Sequence, residues 1–186
     1  MRPKHDAGAS WIFYAGIIAM IILLAGVISQ PASVIQKCLF LIGGLMLTAV
    51  AYLNRQWMLF VLQIVISFGA VLAFSGLGEI PKVAILLGAA LIGILKLAWS
   101  GHFKNDFWNI VCCVGLFMVA AGVATDANAH QLLFGLLLGI GSLLVALYSF
   151  VDYYFQKDHV AVIWFILNLV FAINPLLIAI SAMKAS

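Results

Sequence analysis

Two side-chain amides stand inside apolar stretches, and they are the residues best suited to bind a solute. Gln63 lies in "LFVLQIV" and Asn168 in "WFILNLV". An amide both donates and accepts hydrogen bonds, so two amides that face one cavity could bind hydroxyl groups or an uncharged ring edge. The alternative is structural, because amides also join membrane helices, with about 0.6 to 2 kcal/mol for each bond. The sequence leaves both interpretations open.

Aromatic residues and a proline accompany the two amides. Trp164 and Trp57 precede them by four and six positions, and an indole face can stack on a solute, although tryptophan is also common at membrane interfaces. Asn174 is a further polar residue in the last apolar stretch, and Pro175 after it predicts a bend. The predicted substrate-binding residues are Gln63, Asn168, Trp164, Trp57 and Asn174, and the candidate hinge is Pro175.

The ionisable residues argue against several kinds of chemistry. All four histidines and all six acidic residues fall in the N-terminal tail, in the polar segments between apolar stretches or at their ends. A haem or metal site inside a membrane would need ligands on the helices, and HExxH and P-loop motifs are both absent. The three cysteines stand in apolar runs and are predicted to be buried structural thiols. We therefore expect no catalytic residues, no metal, no cofactor and no enzyme.

Composition identifies the surroundings of the chain. Of its 186 residues, 66% are hydrophobic and 8% are charged, whereas a soluble domain has about 25% charged residues. Such a surface belongs in a lipid bilayer. The net charge of +3 is spread along the chain, with no basic patch of the kind that binds nucleic acid.

Seven apolar stretches are long enough to cross a bilayer, which takes about 20 residues each. They cover 11–29, 34–53, 57–76, 80–99, 107–125, 132–151 and 160–181. They are apolar on every side, which predicts helices rather than the alternating strands of a barrel. The first stretch, with 19 residues, is longer than the roughly 7 to 15 of a signal peptide. The sequence thus predicts an all-α membrane protein with seven spans.

Lysine and arginine predict the orientation, since they accumulate on the cytoplasmic side. One side would have Arg2, Lys4, Arg55, Lys96, Lys104 and Lys157, and the other Lys37, Lys82 and Lys184. This bias predicts a cytoplasmic N-terminus and an external C-terminus. Size and hydropathy favour a bacterial inner membrane.

An internal repeat relates the two halves. A shift of 96 residues places Ala25–Val27 on Ala121–Val123, and after an insertion of nine residues Gln63 meets Asn168. Two three-helix units joined by one extra helix would have the same orientation, a pattern found in transporters. The expected organisation is one membrane domain, 1–186, with repeat one at 11–76, a linker helix at 80–99 and repeat two at 107–181.

This three-one-three plan resembles the SWEET sugar transporters and the PnuC-type vitamin transporters. The segment "QKDHVAVIWFILNLVF" is similar to the PnuC-type pattern in which a tryptophan precedes an amide, here Trp164 and Asn168. "NRQWMLFVLQIV", with Trp57 and Gln63, is more loosely similar. The resemblance implies alternating access for a small sugar- or vitamin-like solute.

Two functions follow as expectations. The first is a small transporter whose partners are the bilayer and a small, mostly uncharged polar solute, with no nucleic acid. The second is a non-transporting subunit or scaffold of a larger membrane complex. A homo-oligomer or another membrane protein would be a further partner. A polar cavity lined by Gln63 and Asn168 would favour transport.

Overall fold

The computed structural model describes residues 10–29, 33–101, 103, 107–125 and 129–185, which form seven helices and no strand. The helices are α1(Ser10–Ile28), α2(Val34–Leu53), α3(Trp57–Leu72), α4(Glu79–Trp99), α5(Phe107–Ala124), α6(Gln131–Gln156) and α7(His159–Ala185). The prediction of an all-α protein is confirmed.

Five of the seven helices are long and apolar enough to cross a membrane: α1, α2, α4, α6 and α7. The other two are apolar but shorter: α3 has 16 residues, and the apolar part of α5 is Phe107–Val123. The chain is therefore a multi-pass membrane protein of helices, while the crossing of all seven stays a prediction.

The helices neighbour one another in chain order. Among the described residues, α1 packs on α2 and α2 on α3, and α5 packs on α6 and α6 on α7. Contacts of α1 with α7 and of α3 with α5 close these six helices into a ring. Helix α4 lies outside the ring against α3 and α5, and its large residues Ile92 and Trp99 are exposed, as expected for a face toward lipid.

Glycines allow the closest approaches in the second half of the ring. A Cβ added to Gly139 of α6 would lie 2.6 Å from Leu176 Cγ of α7, and one added to Gly122 of α5 would lie 2.7 Å from Leu138 N of α6. Side chains at these positions would force the backbones apart. The short interhelical distances are typical of small-residue packing in membranes.

The predicted boundaries fail at one informative place. Helix α6 was expected to end at residue 151, but it continues to Gln156 and ends where Lys157 adopts a left-handed conformation with φ 56°. Asp152, predicted to stand at a helix end, is instead inside the helix and only 4% exposed. Helix α7 continues through Pro175 to Ala185, and the hinge at Pro175 stays a prediction.

Candidate functional site

The predicted binding residues differ in how deeply they lie. Gln63 of α3 is 2% exposed, and Trp164 and Asn168 of α7 are 0% and 4% exposed. Trp57, at the start of α3, is half-buried, and its ring packs edge-on against Tyr52 and Phe60. Asn174 is exposed on α7. The structure therefore places three of the five predicted residues in the interior and leaves Trp57 and Asn174 nearer the surface.

A polar network joins the α2–α3 turn to the start of α7. The Asn54 Nδ2 and Gln56 Nε2 atoms both donate to Asp158 Oδ2, at 2.8 and 2.9 Å. The indole Nε1 of Trp164 donates to Gln56 Oε1 at 2.9 Å. We call Asn54, Gln56, Asp158 and Trp164 the loop network. It connects the two halves of the sequence at one end of the bundle.

Local structure explains why Asp158 stands at the centre of the loop network. The residue directly precedes α7, and its Oδ1 accepts a hydrogen bond of 3.0 Å from the Val160 backbone N–H. This is the geometry of an N-terminal helix cap, where the helix dipole also stabilises a negative charge. The carboxylate is thus held by one backbone and two amide donors, and hydrogen bonds to a charged group are stronger than neutral ones.

Sequence reasoning missed Asn54, Gln56 and Asp158, because it assigned them to the polar segments that separate spans. A signal was present. Both "NRQW" and "QKDH" lie between the second and third helices of the two proposed repeats. In the structure each segment contains a residue with φ of 56°, Arg55 and Lys157. An aspartate immediately before an apolar helical run is itself typical of a helix cap.

The loop network joins Gln56, the residue before α3, to the start of α7. Gln63 stands seven residues after Gln56, and Asn168 four residues after Trp164, spacings that keep each pair on one helix face. Both helices run away from the network, so Gln63 lies about 10 Å along α3 from Gln56, and Asn168 lies about 15 Å along α7 from Asp158.

Gln63 and Asn168 differ in their hydrogen bonds. Asn168 Nδ2 donates to the Trp164 carbonyl of its own helix at 2.9 Å. The Oε1 atom of Gln63 is buried and has no hydrogen-bond partner within the described part of the chain. A buried acceptor without a partner is uncommon in native proteins and calls for an explanation.

A cavity lies elsewhere, between the start of α5 and the end of α6. It measures about 200 Å³ and is lined by Trp108, Tyr148, Val151, Asp152, Phe155 and Gln156. A more open depression of about 510 Å³ lies near the start of α6 and the end of α7, between His130 and Ala182. Neither is lined by Gln63 or Asn168.

The cysteines and acidic residues form no metal centre within the described segments, where no group of three or more His, Cys, Asp or Glu could hold an ion. Cys112 and Cys113 are buried in α5 and Cys38 is partly buried in α2, all as free thiols.

Comparison with protein-family models, with curated proteins and with solved structures finds no match to this chain. The resemblance to SWEET and PnuC-type transporters therefore stays a prediction from short motifs and the helix plan.

Proposed function

We propose that this chain is a small membrane transporter that binds a small, mostly uncharged polar solute at Gln63 of α3. The observation that carries the proposal is the buried Gln63 Oε1, which has no partner among the described residues. An unsatisfied buried acceptor costs about 1–3 kcal/mol. A hydroxyl or N–H group of a solute would satisfy it and recover that free energy.

The pattern of helix neighbours supports two equivalent units. Exchanging α1, α2 and α3 with α5, α6 and α7 leaves the set of ring contacts unchanged, because the contact between α1 and α7 becomes that between α5 and α3. Helix α4 lies outside this exchange, as a linker would. Two parallel three-helix units can rock about a site between them, which is the basis of alternating access.

In such a cycle, the loop network would hold one end of the helix bundle closed. It joins the α2–α3 turn of one unit to the start of α7 in the other. Rocking that opens this face would have to break the two amide bonds to Asp158. A solute drives that change only by binding one state more tightly than the other.

The test is a thermal-shift screen of purified protein against sugars, nucleosides and vitamins, followed by titration of any stabilising solute. We expect Gln63→Leu to weaken its affinity about three- to tenfold, the equivalent of one neutral hydrogen bond. Gln131→Leu is the matched control, an exposed glutamine at the start of α6. Equal affinity in the wild type and Gln63→Leu would overturn the assignment of the site.

The second candidate is a non-transporting subunit of a membrane complex. The outer face of α4 favours it, since Ile80 and Trp99 are 83% and 95% exposed and, within the described part of the chain, α4 contacts only α3 and α5. A partner helix could cover this face. Purification in mild detergent, with a membrane protein retained stoichiometrically and released by Ile92→Lys on α4, would establish this function instead.

The proposed localisation is a bacterial inner membrane with the N-terminus in the cytoplasm. It depends on the distribution of lysine and arginine in the sequence, of which Arg2, Lys4 and Lys104 lie outside the described residues.

A further inference from the structure

A carboxylate and three aromatic rings meet in the cavity at the end of the bundle that also holds the loop network. Asp152 lies one turn before the end of α6 and is 4% exposed. Tyr148 and Phe155 flank it on α6, and Trp108 closes the cavity from the start of α5. An acidic residue buried in a membrane helix is costly to keep and usually marks a functional site.

The spacing on α6 explains why these side chains share one cavity. Tyr148 stands four residues before Asp152, and Phe155 stands three residues after it, so all three project from neighbouring turns of one helix face. Tyr148 is largely buried, whereas Phe155 is 72% exposed and borders the opening of the cavity. The cavity therefore combines a buried carboxyl group with aromatic rings around it.

We propose that this cavity binds a small alkylammonium cation, with Asp152 as the counter-charge and Trp108, Tyr148 and Phe155 as the aromatic walls. Cations bind over aromatic faces through the ring quadrupole, and substituted ammonium groups are commonly recognised in this way. The volume of about 200 Å³ is below the roughly 300–1,000 Å³ of sites for drug-sized ligands, so the cation is small.

Other ligand classes fit this cavity less well. An anion would be repelled by the carboxylate and by the negative ring faces. A hard divalent cation needs about six oxygen ligands, while most of the lining is aromatic or aliphatic. This site is separate from Gln63, and the proposal does not depend on the transport function.

Two sources could supply the ammonium group, a free solute or the headgroup of a lipid. The cavity lies at helix ends, at the depth where headgroups meet a membrane protein. The recognised chemistry is the same in both cases, and the choice between them is a matter for experiment.

The first experiment compares choline with 3,3-dimethylbutan-1-ol, its neutral isostere, by isothermal titration calorimetry of the purified chain in a maltoside detergent. We expect saturable binding of choline and at least about tenfold weaker binding of the isostere, which lacks the positive charge. Equal affinities would overturn the proposal, because they would show that shape alone determines binding.

Variants then assign the binding to this cavity. Asp152→Asn should weaken choline binding at least about tenfold through loss of the counter-charge. Phe155→Leu, at a position that is 72% exposed, should weaken it about two- to fivefold. Phe150→Leu is the matched control, an exposed aromatic of α6 outside the cavity. Unchanged choline affinity in Phe155→Leu would overturn the proposal even if Asp152→Asn failed to fold.

Nanodiscs distinguish the two sources. If a lipid headgroup occupies the cavity, soluble choline should bind more weakly in phosphatidylcholine nanodiscs than in phosphatidylglycerol nanodiscs. Equal affinity in both would identify a free solute as the ligand. A loss of binding in both lipids, together with an isostere that binds as well as choline in detergent, would contradict an ammonium site.

Discussion

Gln63 and Asn168 occupy matching positions in the two proposed repeats, but their hydrogen bonding differs. Removing the two amides should therefore change the free energy of unfolding in opposite directions. The Asn168 amide donates to the Trp164 carbonyl, so its removal loses a hydrogen bond. The Gln63 Oε1 atom has no partner among the described residues, so its removal relieves a cost. Two amides that look equivalent in the sequence therefore separate once their partners are known.

We predict that Gln63→Leu leaves the free energy of unfolding unchanged or raises it by up to about 1–3 kcal/mol, the cost of an unsatisfied buried acceptor. Asn168→Leu should lower it by about 0.5–1.5 kcal/mol. Thermal or denaturant unfolding of the two variants, side by side in one detergent, measures both. A destabilised Gln63→Leu would mean that the amide binds a neighbour and acts as structural glue.

The residues of the site were only partly predictable. Gln63, Trp164 and Asn168 are polar or aromatic residues within apolar stretches. That pattern is visible in the sequence, and it predicts their interior positions. Asn54, Gln56 and Asp158 come from segments about a hundred residues apart, and their contact depends on how the helices pack. Periodicity along one helix contains no information about that packing.

At the scale of the elements, apolar run length predicted the interiors of the helices better than their ends. Helix α2 matches its predicted span, 34–53, and α1 and α5 end one residue earlier than expected. Helix α3 ends at Leu72 rather than at residue 76, before a segment that contains Gly76 and Gly78. Glycine leaves the backbone conformationally free and weakens a helix.

The predicted end of α6 at residue 151 is wrong for a different reason. The charge of Asp152 interrupts the apolar run, and hydropathy therefore ends the span there. The helix continues because backbone hydrogen bonding is independent of that charge and because α5 packs over the residue, leaving it buried. Only the packed structure shows that Asp152 belongs to the interior.

The loop network predicts how a substitution at the start of α7 changes the stability of the protein. Asp158→Ala removes the acceptor of the Asn54, Gln56 and Val160 donors. Hydrogen bonds to a charged group are worth about 1.5–3 kcal/mol each and are not additive, so we expect a loss of about 2 kcal/mol or more. Unfolding measurements test the loss.

Hydrogen exchange locates the effect of Asp158→Ala. Amides at the α2–α3 turn and the first turn of α7 should exchange faster, while those of α4 serve as an internal control because α4 has no part in the loop network. A variant with wild-type stability and unchanged exchange at both turns would show that the network does not hold the two halves together.

At the scale of the whole molecule, the ring of six helices with α4 outside is the arrangement that two three-helix repeats and a linker would produce. The shift of 96 residues indicated this plan, but it could not indicate which helices meet across the ring. That depends on small residues: Gly16 of α1 approaches Ile163 of α7, and Gly69 of α3 approaches Val123 of α5. Under the proposed repeat, these two approaches would be equivalent contacts.

The last prediction concerns how many times the chain crosses the membrane. Seven crossings place the two termini on opposite sides, and the bias of lysine and arginine places the N-terminus in the cytoplasm. Fusions of green fluorescent protein and alkaline phosphatase to each terminus should therefore give fluorescence at the N-terminus and phosphatase activity at the C-terminus. The reverse pattern would contradict the orientation and leave the number of crossings intact.

Termini on the same side would contradict the number itself, and the structure shows where the error would lie. Among the described residues, α3 and α5 are the two apolar helices that are shorter than the candidate spans. They also contact each other within the ring, so neighbouring helices can shield their ends and let the bilayer thin locally. Fusions in the α2–α3 turn at Arg55 and after α3 at Gly76 would then show directly whether α3 crosses.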